Sequence, residues 1–519
     1  MSSETELKLS VPPSAVNKVA RLAWLRKMAT GPLKREKIET VYFDTPKRRL
    51  HDRGLALRVR RAGQQYLQSI KADGIGSNGP FERGEWEHEI AGAAPDLKLA
   101  KGTPLETLAR KKLKRKLEPV FETVIERTTL PIRLNRTDLK LAVDRGHIKA
   151  RRMRQREPIS EIEIEAEGGD SRELSRVAQR LAHSIAVAYG ARSKAERGFA
   201  LSSKRVDAPV KGAPLLLEPS LTAGGAFRAI GFSCLTHAVA NERAVRRGDA
   251  EGVHQMRVGL RRLRAVTSVF KEMLRGPEPK AIKRELKWLT EQLSPARDLD
   301  VLIAGQVHPL RDGSPVDEDA GVLEQDLNAQ RRAGIEKAKA AMASDRYRAI
   351  GLQVALWLAY GKWSRSLAAS VKSRREMRVR ELAEEIIAKR ATKILKKIRR
   401  VEQLDARGRH KLRIAVKKLR YACEFFATVF RGDKRDARRR RFCKALKKLQ
   451  GYLGSLSDIE VHKRLAHAIA RNGGHNASRS REALAMGFIT GREDKQVSSC
   501  LAGIEKTAGQ LAKLTSFWG

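Results

Sequence analysis

Residues 161–165 read Glu-Ile-Glu-Ile-Glu. On an extended strand successive side chains point to opposite faces, so this stretch puts three carboxylates on one face and two isoleucines on the other. The same charged alternation recurs along the first 200 residues. Glu4, Glu6 and Lys8 share a face at the start of the chain. Arg58 and Arg60 share one, opposite Leu57 and Val59, and Arg83, Glu85, Glu87 and Glu89 share another. Strands are also expected at Tyr66–Lys71, around 123–134, and around 139–150, the last holding Asp144 and Lys149. An ordinary antiparallel sheet turns its polar face to water. Here that face carries both signs of charge on at least five strands, which a closed barrel with a charged lumen explains. Arginine and lysine crowded inside it call for an anion, and glutamates crowded beside them call for a metal ion. Helices are expected after Pro12-Pro13-Ser14, over a basic stretch at 103–117, and at about 171–189.

Net charge narrows the partners. The 519 residues carry a formal charge of +46, and both halves are basic. A polyanion is the natural partner: nucleic acid, an anionic membrane, or a phosphate polymer. Aromatic residues make up only 5%, which argues against nucleic acid read by base stacking. The four cysteines, Cys234, Cys423, Cys443 and Cys500, form no CxxC pair, so neither a zinc site nor a disulfide framework is indicated. The opening residues lack a basic and apolar leader, and no apolar run reaches membrane-spanning length. A cytoplasmic protein with no membrane partner is expected.

In order along the chain, the Glu4-x-Glu6-x-Lys8 opening, the Leu57-Arg58-Val59-Arg60 strand, Ile70-Lys71, Arg83 with Glu85, Arg127, Asp144 with Lys149, the glutamate strand and Ser193-Lys194 resemble the CYTH superfamily, the triphosphate tunnel metalloenzymes. The resemblance covers residues 3–204. It implies an α+β domain, an eight-stranded antiparallel β-barrel tunnel with flanking helices that acts on a triphosphate with Mg²⁺ or Mn²⁺. It further implies that Glu4, Glu6, Asp144, Glu161, Glu163 and Glu165 hold the metal. Lys8, Arg58, Arg60, Lys71, Arg127, Lys149 and Lys194 would hold the phosphate chain. Glu4, Glu6, Lys8, Arg58 and Arg60 would carry the chemistry. Arg83 and Arg197 are weaker candidates, since either can pair with a neighbouring glutamate.

Pro209, Gly212, Pro214 and Pro219 break all periodicity, so the chain divides into residues 1–205, a linker at 206–221, and residues 222–519. Beyond the linker the pattern is helical throughout, and it repeats. Residues 254–264 (His-Gln-Met-Arg-Val-Gly-Leu-Arg-Arg-Leu-Arg) match residues 410–420 (His-Lys-Leu-Arg-Ile-Ala-Val-Lys-Lys-Leu-Arg). Each copy is followed by an acidic turn, at 297–301 and 457–461. Helical spacing gathers His254, Arg257, Arg261 and Arg264 into one stripe, and His410, Arg413, Lys417 and Arg420 into another. A single basic stripe is usually a solvated face; two copies headed by a histidine point to a polyanion surface. Two related helical bundles with a pseudo-twofold repeat follow.

These motifs are similar to the CHAD domain, the conserved-histidine α-helical domain, over roughly residues 222–519. The resemblance implies an all-α domain of two four-helix bundles that binds inorganic polyphosphate through the two stripes. Together the two resemblances predict an inorganic triphosphatase that releases diphosphate and phosphate, with polyphosphate bound by the helical part, in the cytoplasm and on polyphosphate granules. Two other readings stay open: a thiamine-triphosphatase or adenylate-cyclase use of the same tunnel, and a non-catalytic polyanion binder. Glutamates facing a lumen speak against the last, because a pure anion binder gains nothing from them.

Overall fold

The computed structural model describes residues 2–72, 82–108, 113, 115–151, 153–167, 170–471, 477–514 and 516–518; the side chains of residues 2–5, 82 and 83 lie outside the description. The chain forms two compact units. One gathers Met1–Val210 with Leu235–Arg243 and Ala343–Lys362; the other gathers Lys211–Cys234, Ala244–Met342 and Trp363–Gly519. Among the described residues no helix is long and apolar enough to cross a membrane.

The first unit is built on an antiparallel sheet: β1 (Ser2–Ser10), β2 (Lys34–Asp44), β3 (Leu55–Ala62), β4 (Gln65–Ala72), β5 (Glu82–Ile90), β6 (Glu118–Leu134), β7 (Thr137–Ala150), β8 (Arg156–Ala166) and a two-residue β9 (Ala188–Tyr189). The order is β5-β4-β3-β2-β6-β7-β8-β1-β9, and β1 also pairs with β5. Both partners of β1 use nearby residues: Ser2–Thr5 pair with Glu82–Glu85, and Thr5–Ser10 pair with Glu161–Ala166. β1 thus has three partners, β5, β8 and β9. The short β9 was not expected from sequence.

The faces divide as the alternation predicts. On β3, Leu57 and Val59 join Phe43, Leu50, Ile70 and Leu105 in one buried cluster. On β8, Ile162 and Ile164 are sealed, and the helix Glu173–Ser184 packs on that strand with Leu174, Val177 and Leu181 buried. Within the helix expected at 103–117, Glu106–Leu108 form a 3₁₀ turn and Leu113 is helical; residues 109–112 and 114 lie outside the described residues.

The helix Lys194–Ser202 starts with a capping box: the Ser193 hydroxyl accepts from the Glu196 amide, and the Glu196 carboxylate accepts from the Ser193 amide. It lies so close to β6 that a Cβ on Gly198 would come within 2.1 Å of the Phe121 ring. Cap and close approach together fix where Lys194, the first helical residue, points.

The second unit is helical. Its repeat is visible in the caps. Asp249 accepts from the Gly252 amide at 2.8 Å and opens the helix Ala250–Val269; Asp405 accepts from the Gly408 amide at 2.7 Å and opens the helix Ala406–Phe425. Both helices run 20 residues and end on a phenylalanine C-cap, Phe270 and Phe426. The two helices pack on each other. The expected acidic turns are not turns: 297–301 lies within the helix Glu278–Leu302, and 457–461 within the helix Asp433–Arg471. Both segments suit a helix, because neither holds a glycine or proline to stop one.

Candidate active site

The charged faces of the strands line a cavity of about 270 Å³. Its cations are Lys8 from β1, Arg58 and Arg60 from β3, Lys71 from β4, Arg127 from β6, Lys140 from β7 and Lys194. Its acids, interleaved with them, include Glu6 from β1, Glu85 and Glu87 from β5, and Glu163 and Glu165 from β8. Cross-strand register explains how they meet. Lys8 stands opposite Glu163, and Lys71 opposite Glu85, which are favourable pairs. Glu6 stands opposite Glu165, and Asp144 opposite Glu161. Like charges directly across a ladder are destabilising, so both acid pairs need a cation nearby.

For Asp144 and Glu161 that cation is Lys194. Its Nζ is 2.7 Å from Asp144 Oδ2 and 2.8 Å from Glu163 Oε1, and it also pairs with Glu161. Arg127 grips Asp144 with two parallel hydrogen bonds of 2.7 Å and donates a third to Glu163. Burial alone would raise the carboxylates, but Lys194 and then Arg127 pull Asp144 below its ordinary value, and Lys194, Lys8 and Arg127 hold Glu163 far below. The reverse holds for Lys194: burial opposes its charge, but Asp144, Glu161 and Glu163 raise it well above the usual ammonium range. Lys8 is raised the same way by Glu163 and Glu6.

A second network joins Arg58 and Lys71 through Glu85. Glu85 accepts from Arg58 at 2.8 Å and pairs with Lys71 at 2.6 Å. Burial would raise Glu85; Arg58 and Lys71 outweigh it and lower the carboxyl to about 2. Arg60 lies beside Arg58, whose charge, with burial, lowers the Arg60 guanidinium.

A divalent cation fits the carboxylate cluster. Asp144, Glu161 and Glu163 are buried and offer oxygens within 4.8 Å of one another. Glu6 Oε1 is buried without a hydrogen bond, its nearest partner being the Lys8 ammonium at 3.3 Å. An oxygen-only donor set of this kind suits Mg²⁺ or Mn²⁺.

Of the residues named from sequence, Glu6, Lys8, Arg58, Arg60, Lys71, Arg127, Glu163, Glu165 and Lys194 line this cavity, and Asp144 and Glu161 lie buried behind it. Glu4 is on β1, opposite Arg83 of β5; both side chains lie outside the description. Arg197 pairs with Glu157 at 3.0 Å and Glu161 at 3.3 Å, as a structural arginine would. Lys149 is the correction. It is exposed, 3.2 Å from Glu122, on the face of β7 opposite to Asp144. Two residues of the same parity as Asp144 never stand five apart on a regular strand. By that parity Lys140 belongs to the site, and it does line the cavity, 3.2 Å from Glu165. Tyr42, on the cavity face of β2, was likewise missed.

In the helical unit the two stripes meet. Arg257 donates to Asp298 at 3.0 Å and to the Ser294 carbonyl at 2.9 Å; in the second copy Arg413 reaches Ser457 at 3.4 Å and Asp458 at 3.9 Å. The second residue of each stripe is thus tied to the acidic segment that follows its own copy. Arg420 donates to Gln450 at 2.9 Å and pairs with Glu424. Lys417 is the perturbed one: burial, then the positive fields of Arg413 and Arg261, lower its ammonium to about 8. Burial also lowers His254, aided by Arg297. Arg264 and His410 are exposed, and His410 borders a groove of about 490 Å³ with Arg407, Arg409 and Arg464.

The family model described as the CYTH domain matches residues 2–199. The model described as the CHAD domain matches residues 229–467. An inorganic triphosphatase of Haemophilus influenzae is 28% identical over 207 residues, 40% of this chain and 56% of that protein. The chain thus spans just over half the length of that curated relative. Among solved structures, the CHAD domain from the plant Ricinus communis is 29% identical, covering 60% of this chain and 98% of that one with a TM-score of 0.48. PptA from Streptomyces chartreusis is 20% identical, covering 56% of this chain and all of that one, with a TM-score of 0.40.

Proposed function

Since the chain joins a CYTH domain to a CHAD domain, we propose that it hydrolyses inorganic triphosphate to diphosphate and phosphate in the strand-lined cavity, working as a tunnel, and binds inorganic polyphosphate through the two helical stripes. The observation that carries the first half is one cavity of about 270 Å³ lined by seven arginine and lysine side chains together with Glu6, Glu163 and Glu165. The similarity to an inorganic triphosphatase supports it.

Lys8, Arg58, Arg60, Lys71, Arg127 and Lys140 receive the phosphate chain, with the arginines gripping non-bridging oxygens in the forked geometry that suits phosphate. Water attacks the terminal phosphorus. The bond from that phosphorus to the bridging oxygen breaks, its electron pair leaves with diphosphate, and the proton of the water passes to solvent. Negative charge develops on the leaving oxygen, and preorganised guanidinium and ammonium groups stabilise it most where water is excluded. Glu4, Glu6, Asp144, Glu161, Glu163 and Glu165 would hold Mg²⁺ or Mn²⁺, which would supply Lewis-acid neutralisation of the phosphate oxygens. Glu85 holds Arg58 and Lys71 in place between substrates.

In the helical unit, Arg261, Arg264, Lys417 and Arg420 with His254 and His410 form the polyphosphate surface, while Arg257 and Arg413 act as fixed members tied to Asp298 and Asp458. The proposed setting is the cytoplasm, on polyphosphate chains or granules.

The test is phosphate release from tripolyphosphate with Mg²⁺, Mn²⁺ or chelator, for the wild type and for Glu6→Ala. Metal-dependent release that Glu6→Ala loses supports the reading. Absence of release with every metal, while polyphosphate still binds, overturns the catalytic half. Thiamine triphosphate and ATP are run beside tripolyphosphate, and preference for either replaces the substrate.

A further inference from the structure

The helical unit holds another cavity, of about 310 Å³, formed by residues 268–273, Arg374, one face of the helix Val379–Ile398, Ala415 and Lys418. That volume is at the lower end for small-ligand pockets, roughly 300–1,000 Å³. Its floor is aliphatic: Val269, Met273, Leu382 and Ile394 are buried there, with Ile386 beside them. The one aromatic side chain in the lining, Phe270, is 2% exposed and packs edge-on against Phe227 and Phe426, so it offers no face for a ring to stack on.

The rim is cationic and unevenly balanced. Its acids are Glu272 and Glu385, and both are engaged by Arg374, at 2.8 Å and 2.9 Å. Lys271, Lys393, Lys397 and Lys418 line the same cavity with no ion pair among the described residues. Arg390 donates to the Ser268 carbonyl at 2.8 Å and meets no carboxylate there. The cost of this crowding shows at Lys418, whose ammonium is lowered by burial and by the fields of Arg390, Lys283, Arg264 and Lys271. Cations held beside apolar surface whose neighbouring acids are already paired gain when an anion joins them.

We propose that this cavity binds an amphipathic anion, with an aliphatic chain on the floor and a carboxylate or phosphate head between Lys418, Lys393 and Arg390. A polyphosphate chain has no apolar part to cover the floor. A nucleotide would need stacking and base-edge partners that the lining lacks. The site is made of residues other than the two stripes and does not depend on the reading of the strand-lined cavity.

Calorimetry on the full chain tests this with decanoate and decyl phosphate below their micellar concentrations, and with decanol, acetate and inorganic phosphate as half-ligands. One saturable site is expected for at least one of the two amphiphiles, at least about tenfold tighter than for any half-ligand, and the tighter amphiphile names the head group. Lys418→Glu and, independently, the exposed Lys393→Glu should each weaken it about tenfold or more, as for the loss of a charge-assisted contact, with the thermal transition retained for Lys393→Glu. Binding of neither amphiphile overturns the proposal. So does decanol binding as tightly as the amphiphiles, or Lys393→Glu keeping its affinity within about twofold.

Discussion

Lys194 Nζ stands 2.7 Å from Asp144 Oδ2, and both side chains are buried. The same ammonium pairs with Glu161 and Glu163, so one cation serves three carboxylates. Removing one partner of a buried ion network leaves charge without compensation and costs about 3–5 kcal/mol. Lys194→Ala is therefore expected to destabilise the strand unit by that order in urea denaturation. Mn²⁺ should restore more stability to the variant than to the wild type, because the freed oxygens are available to it. An unchanged urea midpoint would show that the cluster does not depend on Lys194.

Glu85 gives the acid limb of stability. Its carboxyl is lowered to about 2 by Arg58 and Lys71 against the effect of burial, while an unfolded glutamate titrates near ~4.3. A depressed carboxyl stabilises the fold fully above the unfolded value, and that contribution is lost as pH falls toward the folded value. The window is thus from ~4.3 down to about 2. Denaturation midpoints between pH 5 and 2 should fall more steeply for wild type than for Glu85→Gln; parallel slopes would remove Glu85 from the account.

Arg58 and Lys149 separate the two faces of the strands. Arg58 lines the cavity, and Lys149 is exposed on an outer face. Loss of a preorganised donor to developing charge costs about 10²–10³ in rate. Arg58→Ala should lose that much in kcat/KM for tripolyphosphate, and Lys149→Ala should stay within about twofold of wild type. Equal losses from both would contradict the placement of Lys149.

The polyphosphate binding proposed for the stripes should depend on pH through Lys417. Its folded value is lowered to about 8 by burial and then by Arg413 and Arg261, against ~10.4 when unfolded. For a lowered lysine the sign is a penalty: the fold is disfavoured below about 8 and recovers as pH rises toward the unfolded value. A bound polyanion favours the charged form, so binding should strengthen as pH falls through about 8, with proton uptake. Lys417→Gln should be more stable than wild type at pH 7 and bind polyphosphate more weakly, with a flatter pH profile. A profile identical to wild type would count against Lys417 as a contact.

Much of the site was legible from a period of two. Glu6 and Lys8, Arg58 and Arg60, and Glu163 and Glu165 each share a face by parity alone, and the cavity contains all of them. The same rule, applied strictly to β7, excludes Lys149 and selects Lys140, so that error lay in following the resemblance over the alternation. The helical stripes were legible from spacing, but their internal division was not. Arg257 and Arg413 look like Arg261 and Lys417 in sequence; only the crossing of helices far apart in the chain ties the first two to Asp298 and Asp458.

The sequence by itself determined which side chains face together, because strand and helix periodicities are local consequences of backbone geometry. It also determined the repeat of residues 254–264 at 410–420. What only the tertiary structure decided is which charges cancel. Lys8 meets Glu163, Arg127 clasps Asp144, and Lys194 reaches three carboxylates from a helix that begins about thirty residues after Glu163. Those pairings depend on strand register and on where a capped helix is seated, and Coulomb energies vary with distance and burial rather than with separation along the chain.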